Sequence, residues 1–133
     1  MASTVYEITG SMRNVEEDDE LIFPNVQTCV AVVAVVGGRL VGAHVTLADR
    51  ARLSKVAEEV RKRGIPSDLY VVGPVTSGSY NLSSFANFGG SPHICDTPGF
   101  IDVRARIAGG AVSFERRSGN GPWTAIHASE FHS

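Results

Sequence analysis

The run from Gln27 to Leu47, QTCVAVVAVVGGRLVGAHVTL, is the most apolar stretch of the chain and constrains its fold most. Val, Ala and Leu on both sides of a Gly-Gly pair read as two β-strands, roughly 27–36 and 39–47. Gly37 and Gly38 suit a two-residue hairpin turn, because both can take positive φ without steric cost. Such a turn sets Val36 opposite Arg39, so the numbers of paired residues sum to 75. His44 then faces Ala31, and Cys29 faces Thr46. Residues two apart on a strand share a face with each other and with their partners. Cys29 and His44 are therefore expected as diagonal neighbours on one face, ~7–8 Å apart at the backbone and within side-chain reach. A three-residue turn would put His44 on the other face, so the expectation depends on register.

A thiol and an imidazole so placed form a nucleophile–base pair. His44 would take the Cys29 proton, and the thiolate would attack an amide or ester carbonyl. Backbone N–H groups near Cys29 would stabilise the oxyanion. The shared face carries Cys29, Ala31, Val33, Val35, Leu40, Gly42, His44 and Thr46. Ala31 and Gly42 are small and leave room beside the pair, so this face is expected to floor a cleft. A third group usually orients such an imidazole; Asn25, Asn81, Asn87 and Asp96 are the candidates. Thr46, on the same face, and His93 and Cys95, in a loop beside the cleft, are the expected substrate contacts. Two alternatives use the same residues. Two cysteines and two histidines are a zinc-type donor set, although His93-x-Cys95 is not a usual chelate spacing. A Cys29–Cys95 disulfide or redox pair is the other.

Along the chain, Val5 to Ile8 has strand character. The five acids Glu16 to Glu20 read as a solvated loop. Leu21 to Pro24 leads into the central hairpin. Asp49 suits a helix N-cap, and Leu53, Val56, Ala57 and Val60 place one apolar stripe on a helix over 49–63. Arg61, Lys62 and Arg63 suit its C-terminal dipole, Gly64 its C-cap, and Pro66 bars continuation. Residues 68–75 read as a buried strand, and 76–99, rich in Ser, Gly, Asn and Pro, as a long loop. Clean alternation over 100–107 and again over 111–117, across Gly109-Gly110, gives a second hairpin, exposed on one face. One long helix among many strands predicts an α+β fold, a largely antiparallel β-sandwich with the helix packed on it.

The chain of 133 residues, 43% hydrophobic and 20% charged, is read as one domain. With a net charge of −2, no basic balance argues for a nucleic-acid or membrane partner. No apolar run is long enough to span a bilayer, and the first residues lack the pattern of a signal peptide, so a cytoplasmic location is expected. No phosphate-binding glycine motif and no serine elbow occurs.

The strand 28–32 around Cys29, the Gly42-Ala43-His44 segment fifteen residues on, the helix ending at Gly64 and the strand to Gly73 together resemble a family. It is the Cys-His glutamine deamidases, which include the chemoreceptor deamidase CheD and the catalytic domain of cytotoxic necrotizing factor. The similarity covers roughly residues 25–75. It implies a β-sandwich enzyme that converts a protein glutamine to glutamate, through a thioester on Cys29 and without a cofactor. The partner it implies is a protein substrate carrying the target glutamine. Phe23 stands where CheD-like members tend to carry a threonine, six residues before the cysteine.

Overall fold

Every residue of Val30–Val36 is buried, the mark of a strand covered on both faces. Apolar side chains at every position, rather than alternate ones, are what such a central strand requires. The computed structural model describes residues 2–6, 15–27, 29–45, 50–75, 85, 88 and 91–132. In chain order the described elements are β1 (Ala2–Thr4), β2 (Glu16–Asp18), β3 (Glu20–Val26), β4 (Val30–Val36), β5 (Arg39–Val45), α1 (Arg50–Arg61), β6 (Asp68–Gly73), β7 (His93–Asp96), β8 (Ile101–Ala108), β9 (Ala111–Ser118) and β10 (Thr124–Ile126). A 3-10 turn, Ala128–Glu130, follows.

The strands form two five-stranded sheets, ordered β1-β3-β8-β9-β10 and β2-β5-β4-β6-β7. Pairing is antiparallel except for β1 on β3 and β7 on β6. The fold is α+β and strand-rich, as the sequence predicts. One face of β4 (Val30, Val32, Ala34, Val36) joins the α1 stripe Leu53, Val56, Ala57 and Val60, together with Phe85 and Phe88. The other (Ala31, Val33, Val35) meets Leu21, Phe23, Val103, Ala105 and Phe114 of the second sheet. Burying each Val or Leu of the stripe contributes up to about 1.5–3 kcal/mol, an upper bound because unfolded chains already bury some surface. Among the described residues, no helix is long and apolar enough to cross a membrane.

The second hairpin is β8–β9, with Gly109 and Gly110 both at positive φ. Its outward charges are paired: Arg104 with Glu115, Arg117 with Asp102, and Arg106 with Glu20. The helix occupies the predicted place, while Asp49, its expected cap, lies outside the described residues. Gly64 has φ +144, and a Cβ there would come within 2.8 Å of Val36.

Several stretches differ from the sequence reading. The first strand is Ala2–Thr4, ahead of the expected Val5–Ile8 segment, of which Glu7 and Ile8 lie outside the described residues. Glu16–Asp18 is not a loop but edge strand β2, paired with Leu40–Gly42 of β5. Glu17 meets Arg39 at 3.3 Å and Arg63 at 3.2 Å, so the acids face cations brought up by the hairpin and the helix end. Charge on an edge strand also discourages further strand addition. Within 76–99, His93–Asp96 is strand β7, too short to show a period but hydrogen-bonded along β6. In the tail, Thr124–Ile126 adds β10 to the edge of β9.

Gly42 faces the second sheet, where a Cβ would stand 2.6 Å from Leu21 Cδ1 and 2.8 Å from Phe23 Cζ. Replacing a strand glycine gains roughly 0.5–1 kcal/mol of backbone entropy, whereas overpacking costs roughly 1–3 kcal/mol. Gly42→Ala is therefore expected to be a net destabilisation of about 1 kcal/mol, read as a lower midpoint in urea.

Candidate functional site

The hairpin turn has the required even length. Gly37 and Gly38 take φ of 58° and 77°, the doubly left-handed turn that suits the twist of the flanking strands. Pairing runs from Val36↔Arg39 through Ala31↔His44 to Val30↔Val45, so paired numbers sum to 75 throughout. His44 thus lies on the Ala31 face, toward the second sheet. Thr46, the expected partner of Cys29, lies outside the described residues.

Cys29 sits at a corner. The chain leaves the second sheet at Val26, the end of β3, and enters the helix-backed sheet at Val30. An irregularity between Phe23 and Val26 shifts the β3–β8 register. Asn25 takes φ 54° there and donates its backbone N–H to Asp102 Oδ1 at 2.8 Å. This bulge lets Phe23 and Val26, three residues apart, both point inward. Two glycines close round the corner: a Cβ on Gly73 would stand 3.0 Å from the Cys29 carbonyl oxygen, and one on Gly99 2.9 Å from that of Gln27. Only residues without side chains allow backbone to approach so near.

Both members of the pair are almost closed off, Cys29 at 3% exposure and His44 at 2%. The expected cleft floor is instead the core between the sheets. Leu21 and Phe23 fill the room that Gly42 leaves. The Phe23 ring meets the His44 imidazole in a T-shaped contact, 6.3 Å between centroids at 71°. Thus an aromatic ring, six residues before Cys29 in sequence, stands beside the imidazole. Of the candidate orienting groups, Asn25 is an exposed bulge residue. Asp96 follows Cys95 on β7 and so shares the helix-side face with Ile94. Asn81 and Asn87 lie outside the described residues.

His93 and Cys95 are not loop residues beside the pair. His44, Ala31, Val72 and Cys95 form one row across β5, β4, β6 and β7. Three strand spacings put Cys95 roughly 14 Å from His44 at the backbone, and His93 lies farther along β7. That separation keeps the four Cys and His side chains from sharing one metal. Both cysteines are buried, and they are not joined in a disulfide. Burial pushes the Cys95 thiol up to about 11, with Glu130 adding to the rise, Arg116 opposing it and Asp96 raising it further. His93 instead stacks on Tyr70 at 5.1 Å between centroids, with Nε2 3.5 Å from Asp68 Oδ1.

Sequence reading passed over Thr97, 5% exposed just beyond β7, whose N–H donates to the Gly73 carbonyl at 2.9 Å. Its hydroxyl is buried without a hydrogen-bond partner among the described residues. Nothing in a Thr-Pro-Gly segment marks that burial in advance. A cavity of about 360 Å³ adjoins it, lined by Pro98, Ile101, Arg116, Ser118 and Thr124 among others. Through the Val26↔Ile101 and Ile101↔Ser118 pairs, this cavity opens at the same end of the sandwich as Cys29.

The raised Cys95 pKa fixes a sign. The unfolded thiol ionises near its ordinary 9.0, the folded one near 11. The folded chain therefore holds more protons between these values, and stability falls as pH rises through that window. Cys95→Ala is expected to show a shallower decline from pH 9 to pH 11 than the wild type, measured by urea denaturation. No protein-family model, curated protein or solved structure matches this chain.

Proposed function

We propose that the chain is a cysteine-dependent amide hydrolase of the glutamine-deamidase type, acting on a protein side chain. The observation that carries this reading is the even register of the β4–β5 hairpin, which sets His44 opposite Ala31 and two residues along from Cys29. Cys29 is the nucleophile and His44 the base. The thiolate adds to the glutamine amide carbon, and a tetrahedral oxyanion forms. That intermediate collapses as ammonia leaves with a proton from His44. Water, deprotonated by His44, then hydrolyses the thioester to glutamate and regenerates the thiol. The chemistry calls for no cofactor. Backbone N–H groups near Cys29 would supply the oxyanion donors.

A second reading is a non-catalytic binding domain on the same scaffold. The near-complete burial of Cys29 and His44 and the contact with Phe23 favour it. The two readings part in one experiment. The enzyme reading expects ammonia release and one-dalton Gln→Glu shifts in a treated proteome, lost in Cys29→Ser and reduced by about 10²–10⁴ in His44→Ala. It also expects iodoacetamide to modify Cys29 in the native protein at neutral pH while Cys95 stays silent. A native Cys29 that reacts only on unfolding, with no mass shift, overturns the enzyme reading.

A further inference from the structure

We propose that the open side of the sandwich, between β6–β7 and β9–β10, binds a small aromatic molecule carrying a positively charged amino group. The site is independent of Cys29 chemistry. It is a cavity of about 270 Å³, lined chiefly by Tyr70, His93, Phe114, Ile126, Ala128 and Phe131. A cavity of about 150 Å³ holds benzene, and drug-sized ligands take roughly 300 Å³ or more, so this space suits one ring with a short side chain.

Aromatic surface dominates its floor. Tyr70 meets Phe114 at 5.0 Å, Phe131 at 5.5 Å and His93 at 5.1 Å between centroids, and Phe114 meets Phe131 at 5.1 Å. Ring edges and faces so arranged accept a further ring, and their faces attract a cation. The charge around the cavity selects its sign. Asp68 stands at the rim through His93, with its side chain 47% exposed and that of His93 39%. Tyr70 is raised by burial and then by Asp68. Arg116 is the nearby cation, and it lies 4.0 Å from Glu130. Glu130 also accepts the His127 N–H at 2.8 Å. Asp68 is thus the carboxylate best placed for an ammonium group.

One wall belongs to the C-terminal segment. The Ile94 N–H donates to the His132 carbonyl at 2.7 Å, and the His132 N–H to the Ile94 carbonyl at 2.8 Å, clipping that segment to the edge of β7. This clip holds Phe131 and Ala128 in place, so an occupied cavity should protect the His132 amide from exchange.

The test titrates the intact chain with three probes of one shape: phenethylamine, 2-phenylethanol and phenylacetate. NMR follows the His93 and Phe131 ring signals and His132 amide exchange. The expected result is saturable binding of phenethylamine, at least about tenfold tighter than phenylacetate, with slower His132 exchange. Asp68→Asn should weaken the amine several-fold and leave the alcohol unchanged. Ala128→Trp, at an exposed position on the wall, should block every probe without unfolding the domain. No saturable shift with any probe overturns the proposal, as do alcohol or acid binding as tightly as the amine and undiminished binding in Ala128→Trp.

Discussion

The β4–β5 register is the constraint on which the remaining architecture depends, and hydrophobicity alone does not set it. Both faces of β4 are Val and Ala, so a one-residue slip would still bury apolar side chains on each side. Two features supply the missing specification. Gly37 and Gly38 adopt the paired left-handed turn that closes an even hairpin. At Gly42 on β5, a side chain would collide with Leu21 and Phe23. A slip would bring Val41 or Ala43 into that space. The register that sets His44 on the inner face is therefore the one the packing of the two sheets demands, whatever chemistry His44 carries.

From this register the rest of the helix-backed sheet follows. β6 pairs on the free side of β4, and β7 extends it in parallel. β2 closes the other edge against β5 with acids that meet Arg39 and Arg63. The second sheet joins through β3, whose bulge at Pro24-Asn25 turns the chain toward the corner at Cys29. Position and chemistry meet at that corner because the same few residues pass the chain between sheets and carry the thiol.

The parts legible in the sequence were those with a long period or a turn signature. The α1 stripe, the even central hairpin and the alternating β8–β9 hairpin are each written in several consecutive residues. β7 and β10 are too short to show a period, and they exist because a neighbouring strand supplies their hydrogen bonds. The acid run hid a strand because its partners, Arg39 and Arg63, are distant in sequence. Thr46, Asn81 and Asn87 lie outside the described residues. The cleft expected beside Cys29 and His44 failed for a different reason. Small residues such as Ala31 and Gly42 reveal that space is left above a strand, but not what enters it. Here Phe23 and Leu21 enter from the other sheet.

Phe23 thereby joins two questions that the sequence leaves separate. Its ring fills the volume above Gly42, and the same ring meets the His44 imidazole edge-on. In a Cys-His enzyme the third group fixes the imidazole and supports its charged form. An aromatic ring fixes the imidazole by packing and leaves charge support to other groups. Burial lowers the local dielectric, so under the proposed chemistry transfer of the Cys29 proton to His44 would have to be offset by groups that support the imidazolium.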